Sequence, residues 1–301
     1  MTSESFPLLV FQPTLGASLE WAGVRVRGSD SADAATLKRL FDEFALAEAI
    51  AGLVCLLPAR AIELIDVSAL PAGLVLQPDT EESPPPAAAP PSPPSGPAQT
   101  LLLRLLAQIT RDAETRDIEA TLKHDPQLSV QLLRLVNSVA FAPTTCISSF
   151  AHAITLLGRR QLQRWLQLLL YASQASGAQG NPLLASAALR ATLMEGLCKV
   201  AGRDRAAQDE AFMVGMFSHL ETLFSQPLAK IIGPLHLAEE VSAALLLRKG
   251  ALGELLTLVE AAEQGPDAVA PVLRQTGISN EIWCKTQIEA LRWTIQVSRE
   301  Q

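Results

Sequence analysis

The sequence predicts a mainly α chain in which a multi-helix domain follows a small α/β module. Three observations support that fold class. Leu and Ala dominate a composition that is 49% hydrophobic, 5% aromatic and 18% charged, and both residues lose little side-chain freedom in a helix. A proline-rich run between Pro78 and Pro97 separates two textures. Before it, short apolar runs flank one helical stripe; after it, apolar residues recur at helical spacing almost throughout.

The N-terminal part reads as strands around a helix. Leu8-Leu9-Val10-Phe11 is apolar, and Ala22–Arg27 alternates Val24 and Val26 with Arg25 and Arg27, as a strand with two unlike faces does. Residues Ala34–Ala51 carry Leu37, Leu40, Phe41, Phe44 and Ile50 at helical spacing. Leu53–Leu57, closed by Pro58, and Gly73–Leu76 read as two further strands. Four strands are too few for a closed barrel, and some 75 residues are marginal as an independent core. The run Ser83–Pro94, rich in Pro, Ala and Ser, removes amide donors and fixes φ, so residues 79–97 read as a solvated spacer between segment 1–78 and domain 98–301.

After the spacer, Gln99–Asp112 carries the stripe Leu102, Leu105, Leu106 and Ile109. Asp125 can cap a helix whose first position is Pro126 and whose apolar face is Leu128, Leu132, Leu133, Leu135 and Val136. Ser148 and Ser149 can cap a short helix that Gly158 ends. Helices are then expected at Gln161–Ser173, Pro182–Ala201, Ala207–Phe224 and Pro227–Ile232, with more to Val297.

A formal net charge of −7 without basic clusters argues against non-specific nucleic-acid binding. Cys55, Cys146, Cys198 and Cys284 sit in apolar stretches without a CxxC, and read as small buried hydrophobes in a reducing compartment. The start, Met1–Ser5, carries Glu4 and no basic signal, and the apolar runs are short of a membrane span. A cytoplasmic protein with no membrane and no nucleic-acid partner is expected.

One stretch is more specific. Asp125-Pro126-Gln127-Leu128-Ser129, Leu132–Ser138, Ile147–Phe150, Ala153–Gly158, then Leu162 and Trp165 resemble, in order and spacing, the signature of HDOD domains. The resemblance implies an HD-like helical fold that has shed the metal ligands of HD phosphohydrolases. The chain has four histidines, His124, His152, His219 and His236, whereas a two-metal hydrolase converges several His and Asp side chains on its cations. Where the HD enzymes place His-Asp, this chain has Ser218-His219, a poor ligand followed by a lone imidazole. Asp125 is better read as a cap than as a ligand. Asn137 and Ser138 can satisfy a helix junction or line a partner groove, the first being favoured; Leu157 and Gly158 belong to the signature, and Trp165 reads as a core anchor.

The N-terminal segment resembles a truncated, degenerate EAL domain, the cyclic-di-GMP phosphodiesterase fold. Phe11-Gln12-Pro13 resembles its opening strand and Trp21–Arg27 the strand that carries Glu-Ala-Leu, with Gly23 at the glutamate position and Val24-Arg25 in place of the rest. Gln77 stands where a further carboxylate is expected. The combined expectation is a non-catalytic signal-transduction regulator without cofactor or metal. Its HDOD domain would bind another signalling protein (a kinase, a response regulator or a diguanylate cyclase), and the EAL resemblance implies cyclic-di-GMP pathways; the sequence leaves the oligomeric state open. Two rivals remain: a divergent metal phosphohydrolase using His124, Asp125 and His219, and a nucleotide-sensing module.

Overall fold

The computed structural model describes residues 6–16, 21–50, 52–65, 74–79, 97–122, 160, 162–164, 166–168, 170–171 and 182–299. Strand β1 (Val10–Leu15) pairs antiparallel with β2 (Trp21–Arg27), placing Phe11 opposite Val26 and Gln12 opposite Arg25. Strands β3 (Val54–Leu57) and β4 (Val75–Pro78) continue the sheet in parallel, in the order β1-β2-β3-β4. Parallel neighbours need crossovers. Helices α1 (Ala34–Lys38) and α2 (Leu46–Ala49) lie between β2 and β3, and α3 (Ala59–Glu63) between β3 and β4.

Two expectations shift. The first strand begins two residues later than Leu8 and runs on to Leu15. The helix expected over Ala34–Ala51 is broken: α1 widens into a π turn at Arg39–Glu43, Ala45 turns left-handed at φ 53, and α2 follows. Leu37, Leu40, Phe41 and Phe44 fill one stripe of a straight helix, while Leu46, Ala47, Ala49 and Ile50 are buried as well. One straight stripe cannot bury both groups. The break turns the second group into the same core.

The C-terminal part is helical: α4 (Pro97–Thr110), α5 (Thr115–Leu122), α6 (Pro182–Val200), α7 (Arg205–Phe217), α8 (Leu220–Phe224), α9 (Leu228–Ile232), α10 (Glu239–Leu247), α11 (Gly250–Ala262), α12 (Pro266–Thr276) and α13 (Asn280–Arg299). Leu102, Leu105, Leu106 and Ile109 of α4 enter the main core as the stripe predicts. Asp204 starts α7, its carboxylate accepting from the Ala207 amide at 2.9 Å. Gly215 allows α7 to lie against α6, since a Cβ there would come within 2.4 Å of the Ala191 Cα. Cys55, Cys198 and Cys284 are free and buried, and burial pushes the Cys55 and Cys284 thiols up to about 12. No helix among the described residues is long and apolar enough to cross a membrane.

The sheet docks on the helices, and α13 joins them. Cys284, Ile288, Leu291 and Ile295 form a stripe that enters the core of the sheet module, together with Leu9, Phe11, Val24, Val26, Cys55 and Leu57. Trp283 and Ala290, on another face, belong to the helical core, which also takes in Val10 of β1. Alternation along β1 therefore sends Leu9 and Phe11 to one core and Val10 to the other. The outer edge of β1 is satisfied by side chains in place of a strand. Gln287 accepts from the Phe11 amide at 3.1 Å and donates to the Leu9 carbonyl at 3.0 Å. Trp283 Nε1 donates to the same carbonyl at 3.0 Å, and Asn280 Nδ2 donates to Phe6 O at 2.8 Å.

Gln287→Leu retains bulk but orphans the buried Phe11 amide. The cost expected is about 1–3 kcal/mol, read as a lowered urea midpoint. An unchanged midpoint would show that this edge bond contributes nothing.

Candidate functional site

The register of the sheet builds one wall of a cleft. Gln12, Arg25, Leu56 and Gln77 are successive partners across β1, β2, β3 and β4 and share one face. The opposite face, with Val24, Val26 and Cys55, is the module's own core. The polar row therefore looks toward the helices. Between them lies a cleft of about 570 Å³, within the range of small-molecule sites. Its far wall comes from Ser186, Leu189 and Arg190 of α6, His219, the end of α11 at Ala262 and Glu263, and Gln287 and Leu291 of α13. Trp21, Phe11, Pro78 and Asp79 complete the sheet side. The lining takes in the carboxyl-terminal end of β4 at Gln77 and Pro78, and the first residue of β2, Trp21.

Two guanidinium groups define the electrostatics. Arg25 lies 2.8 Å from Asp79, with side chains 6% and 8% exposed. Arg190, whose side chain is 10% exposed, holds Glu263 as a fork: Nε to Oε1 at 2.5 Å and Nη2 to Oε2 at 2.7 Å. Its Nη1 donates to Ser218 Oγ at 2.9 Å and approaches Glu260 at 3.4 Å. Glu260 is itself shared with Arg248 at 2.8 Å. On the sheet side, Gln12 Nε2 donates to the carbonyls of Ala262 and Glu263 at 3.1 and 3.0 Å, fastening the end of α11 to β1.

Ser218 and His219 occupy a helix break where one helix over Ala207–Phe224 was expected. α7 ends at Phe217 and α8 begins at Leu220. Ser218 Oγ donates to the Gly215 carbonyl at 2.7 Å while receiving Arg190, and the Tyr171 hydroxyl donates to the Met216 carbonyl. These bonds take up carbonyls at the helix end. His219 Nε2 faces Ser186 Oγ at 2.9 Å. Burial first, and the Arg190 charge second, push this imidazole down to about 3. A guanidinium hydrogen-bonded to Ser218 opposes a divalent cation at this pair, and no metal-binding group of three His, Cys, Asp or Glu occurs among the described residues.

Of the residues singled out from the sequence, Asn137, Ser138, Leu157, Gly158 and Trp165 lie outside the described residues, as do His124, Asp125 and His152. Of the residues singled out in the sequence, Gln77, Arg25, His219 and Gln12 line the cleft. Sequence reasoning missed Arg190, Glu263 and Asp79. The signal for Arg190 was present: it interrupts the apolar run Leu183–Leu197, four residues after Ser186, on one helix face.

Residues 97–231 match the model of the HDOD domain. The chain carries an HDOD domain. The HDOD domain therefore includes α4 to α9 and supplies Ser186, Arg190 and His219 to the cleft. The cyclic di-GMP phosphodiesterase CdgJ of Vibrio cholerae is 29% identical over 205 residues, 67% of this chain and 47% of that protein. The uncharacterized protein YuxH of Bacillus subtilis is 29% identical over 175 residues, 57% of this chain and 42% of that protein. The chain thus spans less than half the length of these curated relatives. A putative phosphohydrolase from Shewanella amazonensis superposes with a TM-score of 0.48 at 15% identity, covering 70% of this chain and 94% of that one. An HDOD domain protein of unknown function from Geobacter sulfurreducens gives 0.39 at 15% identity, covering 62% and 76%. The expectation that the chain is not an enzyme is corrected by the Vibrio cholerae relative, whose name is that of a phosphodiesterase and points to an enzyme at 29% identity. That expectation rested on the missing HD ligands and on Gly23 and Gln77 standing where carboxylates of an EAL domain are expected.

His219 makes folding pH-dependent. An ordinary imidazole titrates near 6.5, whereas the folded chain holds this one near 3. Between those values the unfolded chain binds the proton and the folded chain does not. The stability of the neutral ring is therefore present above about 6.5 and is lost as the pH falls toward 3, by about 1.4 kcal/mol per pH unit. Urea unfolding of the wild type should weaken more steeply from about pH 6 to about pH 4 than that of His219→Gln. Parallel profiles would place the imidazole in ordinary solvent.

Proposed function

We propose that this chain is a signal-transduction regulator in cyclic-di-GMP-linked pathways, whose HDOD domain contacts another signalling protein. The observation that carries this reading is the shared construction of the cleft. HDOD helix α6 supplies one wall and the N-terminal sheet the other, so an event at either part is felt by both. The name of the Vibrio cholerae relative supplies the link to cyclic di-GMP. A histidine kinase, a response regulator or a diguanylate cyclase is the partner class proposed, and the cytoplasm the compartment.

The sheet module, residues 1–78, is read as a shortened EAL-like segment joined by the spacer 79–97 to helices 98–301. Supporting this, the strand Trp21–Arg27 and the strand of Gln77 run parallel on either side of β3, with Arg25, Leu56 and Gln77 in one register row. A second reading, favoured by the relative's name, is turnover of cyclic di-GMP itself.

Two assays on the full chain separate these readings. Cross-linking capture against an empty matrix should enrich a kinase, response regulator or diguanylate cyclase; no such protein would count against the regulator reading. Incubation with cyclic di-GMP and Mg²⁺ or Mn²⁺, followed by chromatography, decides the second reading: a linear dinucleotide product supports it, and recovery of intact cyclic di-GMP rejects it.

A further inference from the structure

We infer that the cleft is a binding site for a small organic oxyanion, whose charged group takes the place of the Glu263 carboxylate on Arg190. The two partners of this ion pair differ in what separation costs them. The Arg190 side chain is 10% exposed and Glu263 is 47% exposed. A guanidinium this deeply set needs an anion opposite it, whereas the glutamate can swing into water at little cost. Glu263 also stands at the C-cap of α11, one turn after Glu260, where the helix end and a like charge both disfavour a carboxylate. Glu263 is therefore an exchangeable internal anion on a cation that is not exchangeable.

The surroundings suit a ligand with an organic body. An arginine fork accepts a phosphate or a carboxylate equally well by geometry. Arg25, held by Asp79, offers a second guanidinium on the opposite wall. Trp21 and Leu189 provide apolar surface for the remainder of the molecule, and about 570 Å³ accommodates something of mononucleotide size. Displacing Glu263 has a structural consequence, because its backbone carbonyl is held by Gln12 of β1. Occupancy of the cleft would thus be reported at the joint between sheet and helices. This inference stands independently of the partner and of cyclic di-GMP turnover.

Calorimetric titration of the full chain with GMP, succinate and inorganic phosphate tests it, using wild type, Glu263→Gln and Arg190→Lys, each confirmed as folded by its thermal melt. GMP or succinate should bind saturably. Removing the competing carboxylate in Glu263→Gln should tighten that binding about tenfold, and Arg190→Lys, which keeps the charge but loses the fork, should weaken it. Arg25→Lys provides a second variant, on the other wall, should Arg190→Lys fail to fold. No binding of either organic probe by Glu263→Gln, an affinity indifferent to residue 263, or inorganic phosphate bound as tightly as both organic probes would each overturn the inference. Each of these outcomes leaves the capture and turnover assays above unaffected.

Discussion

The carbonyl of Leu9 receives two hydrogen bonds from one helix, and the architecture follows from that attachment. A four-stranded sheet of about 75 residues exposes two faces and two edges and buries too little to stand alone. Helix α13 resolves this by acting as a lateral neighbour to β1. Gln287 imitates a strand by offering an acceptor to Phe11 and a donor to Leu9, and Trp283 adds a second donor. The stripe Cys284, Ile288, Leu291 and Ile295 closes the sheet's core, while Trp283 and Ala290 remain in the helical core. One helix thus belongs to two cores, and separating them would orphan backbone groups as well as expose apolar surface.

With the sheet anchored there, its polar face must look at the helices, and the cleft is what remains between them. Arg190 sets the chemistry of this space. Gly215 lets α6 and α7 approach closely enough for Arg190 to reach Ser218, and the break at Ser218-His219 follows from that contact together with the Ser218 bond to Gly215. A position that HD phosphohydrolases are expected to use for metal ligands is here organised around an organic cation. Its anions, Glu260 and Glu263, come from α11, and Gln12 of β1 grips the same helix end. Sheet, α6, α7 and α11 therefore meet through one guanidinium network.

Much of the fold was legible because periodicity is local. The alternation of Val24 and Val26 with Arg25 and Arg27 gave the two faces of β2, and the spacing of Leu102, Leu105, Leu106 and Ile109 gave the buried side of α4. Asp125 and Pro126, with the residues after them, led to the HDOD resemblance, which the match over residues 97–231 supports. The broken elements were not legible. Ala45 turns left-handed, and α7 stops before Ser218, because of packing partners distant in sequence. The inference to absent catalysis, from missing HD ligands and from Gly23 and Gln77 in place of carboxylates, also went further than residue identity allows.

The sequence by itself determined the helical class, the small strand-bearing module and the burial of Cys55, Cys198 and Cys284, because these depend on local propensity and the polarity of neighbours. Only the tertiary structure decided that the module docks, that the arginine face of β2 turns inward, and that Arg25, Asp79, Arg190 and Glu263 share a cleft. Each of these rests on contacts across a long sequence separation, such as Gln287 with Leu9 and Arg190 with Glu263. Such pairings leave no period in the chain, since a side chain's charge specifies that it needs a partner and not which partner it will meet.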